Sequence, residues 1–185
     1  MACMALLIID MQMEIERRIK AKRDHVNPEA PARIAELVAA FRGKGLPVLH
    51  VRHADEDPGS PFYTTLPGYI AMPCAQSIEN EIIFIKNTSS AFASTNLADY
   101  LRKNDIDHLV VVGAVAGFCI NSTTRAGADF GFKMTIIRDA VLGFDLPEAN
   151  LSAQAIFDVT MALLAAGFAK VIDSAALLSE LSELA

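Results

Sequence analysis

"HLVVVGAVAGFCINSTTRAG", residues 108–127, decides how the chain is read. Its first part, His108–Ala114, is apolar without alternation, as in a strand buried on both faces. Small and polar residues follow at once, Cys119 among them, and residues 119–131 take a helical pattern. A buried strand running through a tight turn into a helix is half of a βαβ unit.

The same alternation extends in both directions. Strands are read at "ALLII" (5–9), "PVLHV" (47–51), "EIIFIK" (81–86), "KMTIIRDA" (133–140) and "AKVID" (169–173). Helices are read at residues 27–45, with Asn27 as cap, Pro28 in the first turn and Gly45 closing. Further helices fall at 94–104, capped by Ser94 or Thr95, at 150–167 and at 174–184. The order predicts an α/β fold, a parallel sheet with helices on both faces, in a single domain over residues 1–185. A Pro- and Gly-rich stretch at 52–76 is too long for a plain connection and reads as a functional loop or lid.

Composition narrows the function. Hydrophobic residues make up 52% and charged residues 21% of the chain, with a net charge of −6 and no basic stripe, so no nucleic-acid partner is expected. No apolar stretch reaches the length of a spanning helix, and no membrane partner is expected. Cys3, Cys74 and Cys119 are odd in number and widely spaced. That speaks against a disulfide framework or a zinc cluster and for a reducing, cytoplasmic setting.

In open parallel sheets, ligands bind beyond the carboxyl ends of the strands. The strand-closing residues are Asp10, Arg52 with His53, Lys86, the turn before Cys119, Asp139 and Asp173. Asp10, Lys86 and Cys119 form a chemically sensible trio of proton shuttle, electrostatic partner and nucleophile. A helix start and a nearby ammonium would both favour the thiolate. The plainer alternatives are an inert packed thiol, a capping aspartate and a solvated lysine. Asp139 and Asp173 read as caps, Arg125 as a helix-face charge, and Cys3 and Cys74 as bystanders. The turn after strand one lacks GxGxxG, and no GxSxG elbow is present.

These residues resemble the isochorismatase-like cysteine hydrolases, which include nicotinamidases and N-carbamoylsarcosine amidase. "LLIIDMQ" resembles the family's Asp-x-Gln, "PGSPFYTTLPG" its loop after strand two, "IKNTSSAFASTNL" its Lys segment, and "VVVGAVAGFCINSTTRAGADFGF" with "IIRDA" its Cys segment. The resemblance implies a three-layer αβα, Rossmann-like sandwich with a six-stranded parallel sheet, an Asp10–Lys86–Cys119 triad, and a homodimer or homotetramer. It implies hydrolysis of a C–N bond in a small-molecule amide through a thioester, with no cofactor. It also implies a cis peptide at Ala114–Val115 and an oxyanion hole from the Val115 and Cys119 amides. The stretch Gly113–Cys119 departs from the family's Gly-x-x-Thr-Asp/Glu/Ser-x-Cys, with Ala116 and Gly117 in place of polar residues. Substrate contacts are assigned to Ile15 (alternatively core), His53, Phe62, Tyr63, Ala114 and Phe118. His50 and His53 are three apart on a strand, so they point to opposite faces and no metal site is expected. A catalytically idle binding or assembly protein on the same fold is the competing function.

Overall fold

The computed structural model describes residues 3–183. In chain order the elements are β1 (Cys3–Ile9), α1 (Met13–Lys20), β2 (His25–Val26), α2 (Ala30–Gly43), β3 (Val48–His53), β4 (Ile83–Lys86) and α3 (Leu97–Lys103). They continue with β5 (Ile106–Ala114), a π-helical turn (Ala116–Ile120), α4 (Asn121–Asp129), β6 (Lys133–Phe144), α5 (Ala153–Gly167), β7 (Lys170–Ile172) and α6 (Ser174–Glu183).

β1 pairs with β3 and β5, β3 with β4, β5 with β6, and β6 with β7, all in parallel. These six strands form the expected parallel sheet. The two-residue β2 adds a seventh strand, antiparallel to the far end of β6. Period-two alternation sends successive side chains to opposite faces. Leu7, Ile9 and Val111 pack into one core with Leu101, Ile120, Phe157 and Leu164. Leu6, Ile8, Val110 and Val112 pack into the other with Ile15, Leu37, Phe41 and Leu177. Helices α3, α4 and α5 therefore cover one face and α1, α2 and α6 the other, giving three layers. Burial on both faces explains why the strands read as unbroken apolar runs.

Several sequence expectations are corrected. The polar segment after β1, to which the sequence reading assigned no element, holds α1. Asn27 does not cap α2, which starts at Ala30 behind Glu29. Asn27 instead takes a φ of 58° and its amide donates to the carbonyls of Arg138 and Val141, both at 2.8 Å. Those carbonyls flank the place where β6 slips register against β5, between Val111 and Gly113. The strand thus runs through Asp139 rather than ending there, and the Asn27 amide is bonded to backbone carbonyls of the irregular stretch. Asp139 is nonetheless a cap: its carboxylate accepts from the Ser174 N–H at 2.8 Å and hydroxyl at 2.6 Å, at the start of α6. Asn96 occupies the position before α3, while the Thr95 hydroxyl accepts from the Leu97 N–H at 3.1 Å. Among the described residues no helix is long and apolar enough to cross a membrane.

Candidate active site

Three adjacent parallel strands, β5, β1 and β3, with β4 beyond them, carry the site at their carboxyl ends. Asp10 follows β1 directly, with a φ of 51°, and its N–H donates to Val51 O of β3 at 2.9 Å. Lys86 closes β4, opposite His53 in the register. Cys119 follows β5 within the π-helical turn, not at the first residue of α4 as the sequence suggested. The flanking amides of Phe118 and Ile120 both donate to Val115 O, at 3.0 and 3.3 Å. Single π-turns of this kind are common at functional sites. The Ala114–Val115 peptide bond is cis.

Lys86 links the other two side chains. Its Nζ lies 2.7 Å from Asp10 Oδ2 and 3.3 Å from Cys119 Sγ. A third neighbour is His53 Nδ1 at 3.1 Å, whose Nε2 faces Asp55 Oδ1 at 2.8 Å. Asp10 Oδ1 is buried and has no hydrogen-bond partner of ordinary geometry. Gln12, fully buried, fastens the rim: its amide donates to His53 O at 2.9 Å and Tyr69 O at 3.0 Å, and its Oε1 accepts from His53 N–H at 2.9 Å.

Lys86 favours the thiolate as expected, but burial acts against it. Burial and the Asp10 charge push the Cys119 thiol up to about 12, although Lys86 opposes them. Desolvation of a buried anion thus outweighs one neighbouring ammonium and favours the thiol over the thiolate. Burial also raises the Asp10 pKa, opposed chiefly by Lys86 and then by Cys119 and His53.

A cavity of about 230 Å³ opens onto the thiol and is lined by Asp10, Ile15, Arg18, His53, Phe62, Ser89, Ala114, Val115, Phe118 and Cys119. Ile15, His53, Phe62, Ala114 and Phe118 thus come together as the sequence reading placed them. Ile15 is also core, 1% exposed, while Phe118 is 47% exposed. Tyr63 does not join them. It lines a neighbouring depression with Asp55, Thr64 and Asn87, because the turn from Ser60 to Tyr63 points Phe62 inward and its neighbour away. Arg52 is absent from the cavity wall. His50 is buried on the other side of β3, with Nε2 2.8 Å from Glu81 Oε2. Arg125 is a helix-face charge, bonded to Asn121 and stacked over Phe168 at 4.2 Å. Cys74 is half-buried and free, and the side chain of Cys3 lies outside the described residues. Sequence reasoning missed Arg18 and Ser89. Ser89 stood inside the quoted Lys segment, and Arg18 sits on the helix that was not foreseen.

The Isochorismatase domain family model matches residues 4–176. The chain belongs to the isochorismatase family. It is 27% identical to the isochorismatase family protein YrdC of Bacillus subtilis over 179 residues, covering 95% of each chain. The N-carbamoylsarcosine amidase of an Arthrobacter species is 31% identical over 125 residues, 58% of this chain and 47% of that protein. A crystal structure of an isochorismatase-family protein from Chromobacterium violaceum superposes with a TM-score of 0.91 at 29% identity, covering 99% of this chain and 95% of that one. Membership makes this chain an isochorismatase-family hydrolase.

Proposed function

We propose that this hydrolase cleaves the C–N bond of a small amide through a thioester on Cys119. The observation that carries the reading is the single lysine ammonium held between a buried carboxylate and a cavity-facing thiol. The similarity to an amidase supports it.

The chemistry follows from which atoms are free. Lys86 occupies Asp10 Oδ2, so Oδ1 is the oxygen left to receive a proton. As Cys119 Sγ bonds to the amide carbonyl carbon, the thiol proton passes to Asp10. When the C–N bond breaks, that proton goes to the departing nitrogen, leaving an acyl thioester and a free amine or ammonia. Water, deprotonated by Asp10, then attacks the thioester, and the acid leaves as the thiol is restored. Keeping the thiol protonated at rest suits this sequence, because attack and proton transfer occur together and no buried thiolate has to be maintained. Two backbone donors, the N–H groups of Val115 and Cys119, are assigned to the carbonyl oxygen as it gains charge, and both residues border the cavity.

The test is an ammonia- or amine-release screen over small amides. Turnover by the wild type and its loss in Cys119→Ala are the expected results. Turnover that survives Cys119→Ala overturns the nucleophile, and failure on every amide class favours the idle binding protein.

A further inference from the structure

We infer that Arg18 selects an anionic substrate, an amide that also bears a carboxylate, and binds that carboxylate at the cavity rim. The inference rests on the proposed amidase site. Of the carboxylate, ammonium and guanidinium side chains, two border the cavity, Asp10 and Arg18. Asp10 is matched by Lys86 at 2.7 Å. Arg18 is matched only in part, and the reason lies in its own helix.

Glu14, 2% exposed, is shared by two arginines of α1. Arg17 binds it through Nε at 2.6 Å and Nη2 at 2.8 Å. Arg18 reaches the same carboxylate through Nε alone, at 2.8 Å. One negative charge is thus spread over two guanidiniums, and the group keeps a net positive charge. Both arginines, burial apart, hold Glu14 below its ordinary pKa, so it stays ionised as an anchor. The contact fixes the Arg18 side chain yet leaves its two Nη groups with no hydrogen-bond partner among the described residues. A guanidinium held by Nε with both terminal nitrogens open is a preformed fork for a carboxylate.

The surroundings hold that fork beside the cavity. The Arg18 guanidinium carbon sits 5.7 Å from the centre of the Phe62 ring, and Phe62 packs edge-on against His53 at 5.4 Å. Ile15, one turn earlier on the same helix face, forms the adjoining wall. The Arg18 side chain is 27% exposed, so it is neither buried beyond use nor fully solvated. A ligand that fills the cavity excludes water from this pair and strengthens it.

The test is calorimetric binding to the Cys119→Ala protein, which removes the nucleophile. The probes are malonamate, succinamate and glutaramate, with their neutral methyl esters as controls; three chain lengths sample the span from rim to thiol. At least one amido acid is expected to bind about tenfold or more tightly than its ester. Adding Arg18→Gln should abolish that preference and leave the ester unchanged, while Arg18→Lys should retain part of it. Fold is not at issue, since Glu14 keeps its two bonds to Arg17. Equal binding of acid and ester, no binding of any probe, or a preference that persists in Arg18→Gln overturns the inference. The proposed function is judged separately: wild-type turnover of neutral amides with no anion preference keeps the amidase and removes Arg18. Arg18-dependent anion binding in a wild type that turns over no amide does the reverse.

Discussion

Lys86 Nζ and Asp10 Oδ2 stand 2.7 Å apart with side-chain exposures of 0% and 5%. Neither charge has water to fall back on, so each depends on the other. Removing one partner of such a pair leaves an uncompensated buried charge and costs about 3–5 kcal/mol. Lys86→Met is therefore expected to lose about that much stability in urea unfolding at pH 7. Asp10→Asn added to Lys86→Met should restore most of it. A Lys86→Met protein within about 1 kcal/mol of wild type would show that Asp10 is neutral at rest.

The thiol and the carboxylate give a prediction with opposite signs. The Asp10 charge helps to push the Cys119 thiol up to about 12. Asp10→Asn should lower that value and speed labelling of Cys119 by iodoacetamide at pH 8. The same change should cut amide turnover by about 10²–10⁴-fold, since the proton carrier is gone. Combining it with Cys119→Ala should do no more harm than Cys119→Ala alone, as members of one catalytic unit are not additive. Peptide mass analysis after timed labelling, beside turnover assays, reads both effects. Slower labelling in Asp10→Asn would mean that Asp10 already activates the resting thiol.

How much of this was legible depends on what each segment hides. The strands were plain because both faces of the sheet are covered, which leaves unbroken apolar runs such as Leu109–Val112. From there the switch-point rule led to Asp10, Lys86 and Cys119. Helix α1 was not plain. Its charged residues outnumber its apolar ones, with Glu14 paired to Arg17 and Arg18 and Glu16 to Lys20, and such a run resembles a solvated loop in sequence although Ile15 packs into the core. Glu14 followed by arginines three and four residues later was the usable signal, and Arg18 came to light only with the helix. The passage of β6 through Asp139 was hidden because a bulge looks like a strand end until Asn27 is seen bonded to its carbonyls. Nothing local in "AVAGFCI" distinguishes a π-turn from a helix start.

Glu81 supplies a pH prediction away from the cavity. It accepts from Arg42 Nε and Nη2, both at 2.8 Å, faces His50 Nε2 at 2.8 Å, and accepts from Ile78 N–H at 3.1 Å. Burial raises its pKa, but Arg42, His50 and the Ile78 amide outweigh that and bring it from 4.5 to about 2. A carboxylate whose pKa is lower folded than unfolded stabilises above the unfolded value and loses that contribution as pH falls through the folded one. Glu81→Gln should therefore be less stable than wild type by about 2–3 kcal/mol at pH 7. Urea midpoints should converge as pH drops from 4.5 towards 2. A constant gap across that window would assign Glu81 a role independent of its charge.

The position of Asp10 rests on a glycine in the next strand. Gly113 pairs with Ile9, the residue before Asp10, and has a φ of +120°. That backbone is unfavourable for any residue with a Cβ, and a Cβ there would run into the Ile9 carbonyl oxygen and backbone nitrogen. Gly113→Ala must therefore part β5 from β1 just where β1 delivers the carboxylate. The expected cost is about 3 kcal/mol or more in urea unfolding. Turnover should fall further than the loss of folded protein explains, since Asp10 no longer meets Lys86 at hydrogen-bond distance. Gly43→Ala is the control: the glycine ends α2, a Cβ there meets nothing within 4 Å, and stability should hold or rise by about 0.5–1 kcal/mol. A Gly113→Ala protein with wild-type midpoint and turnover would show that the β1–β5 contact can relax without moving the site.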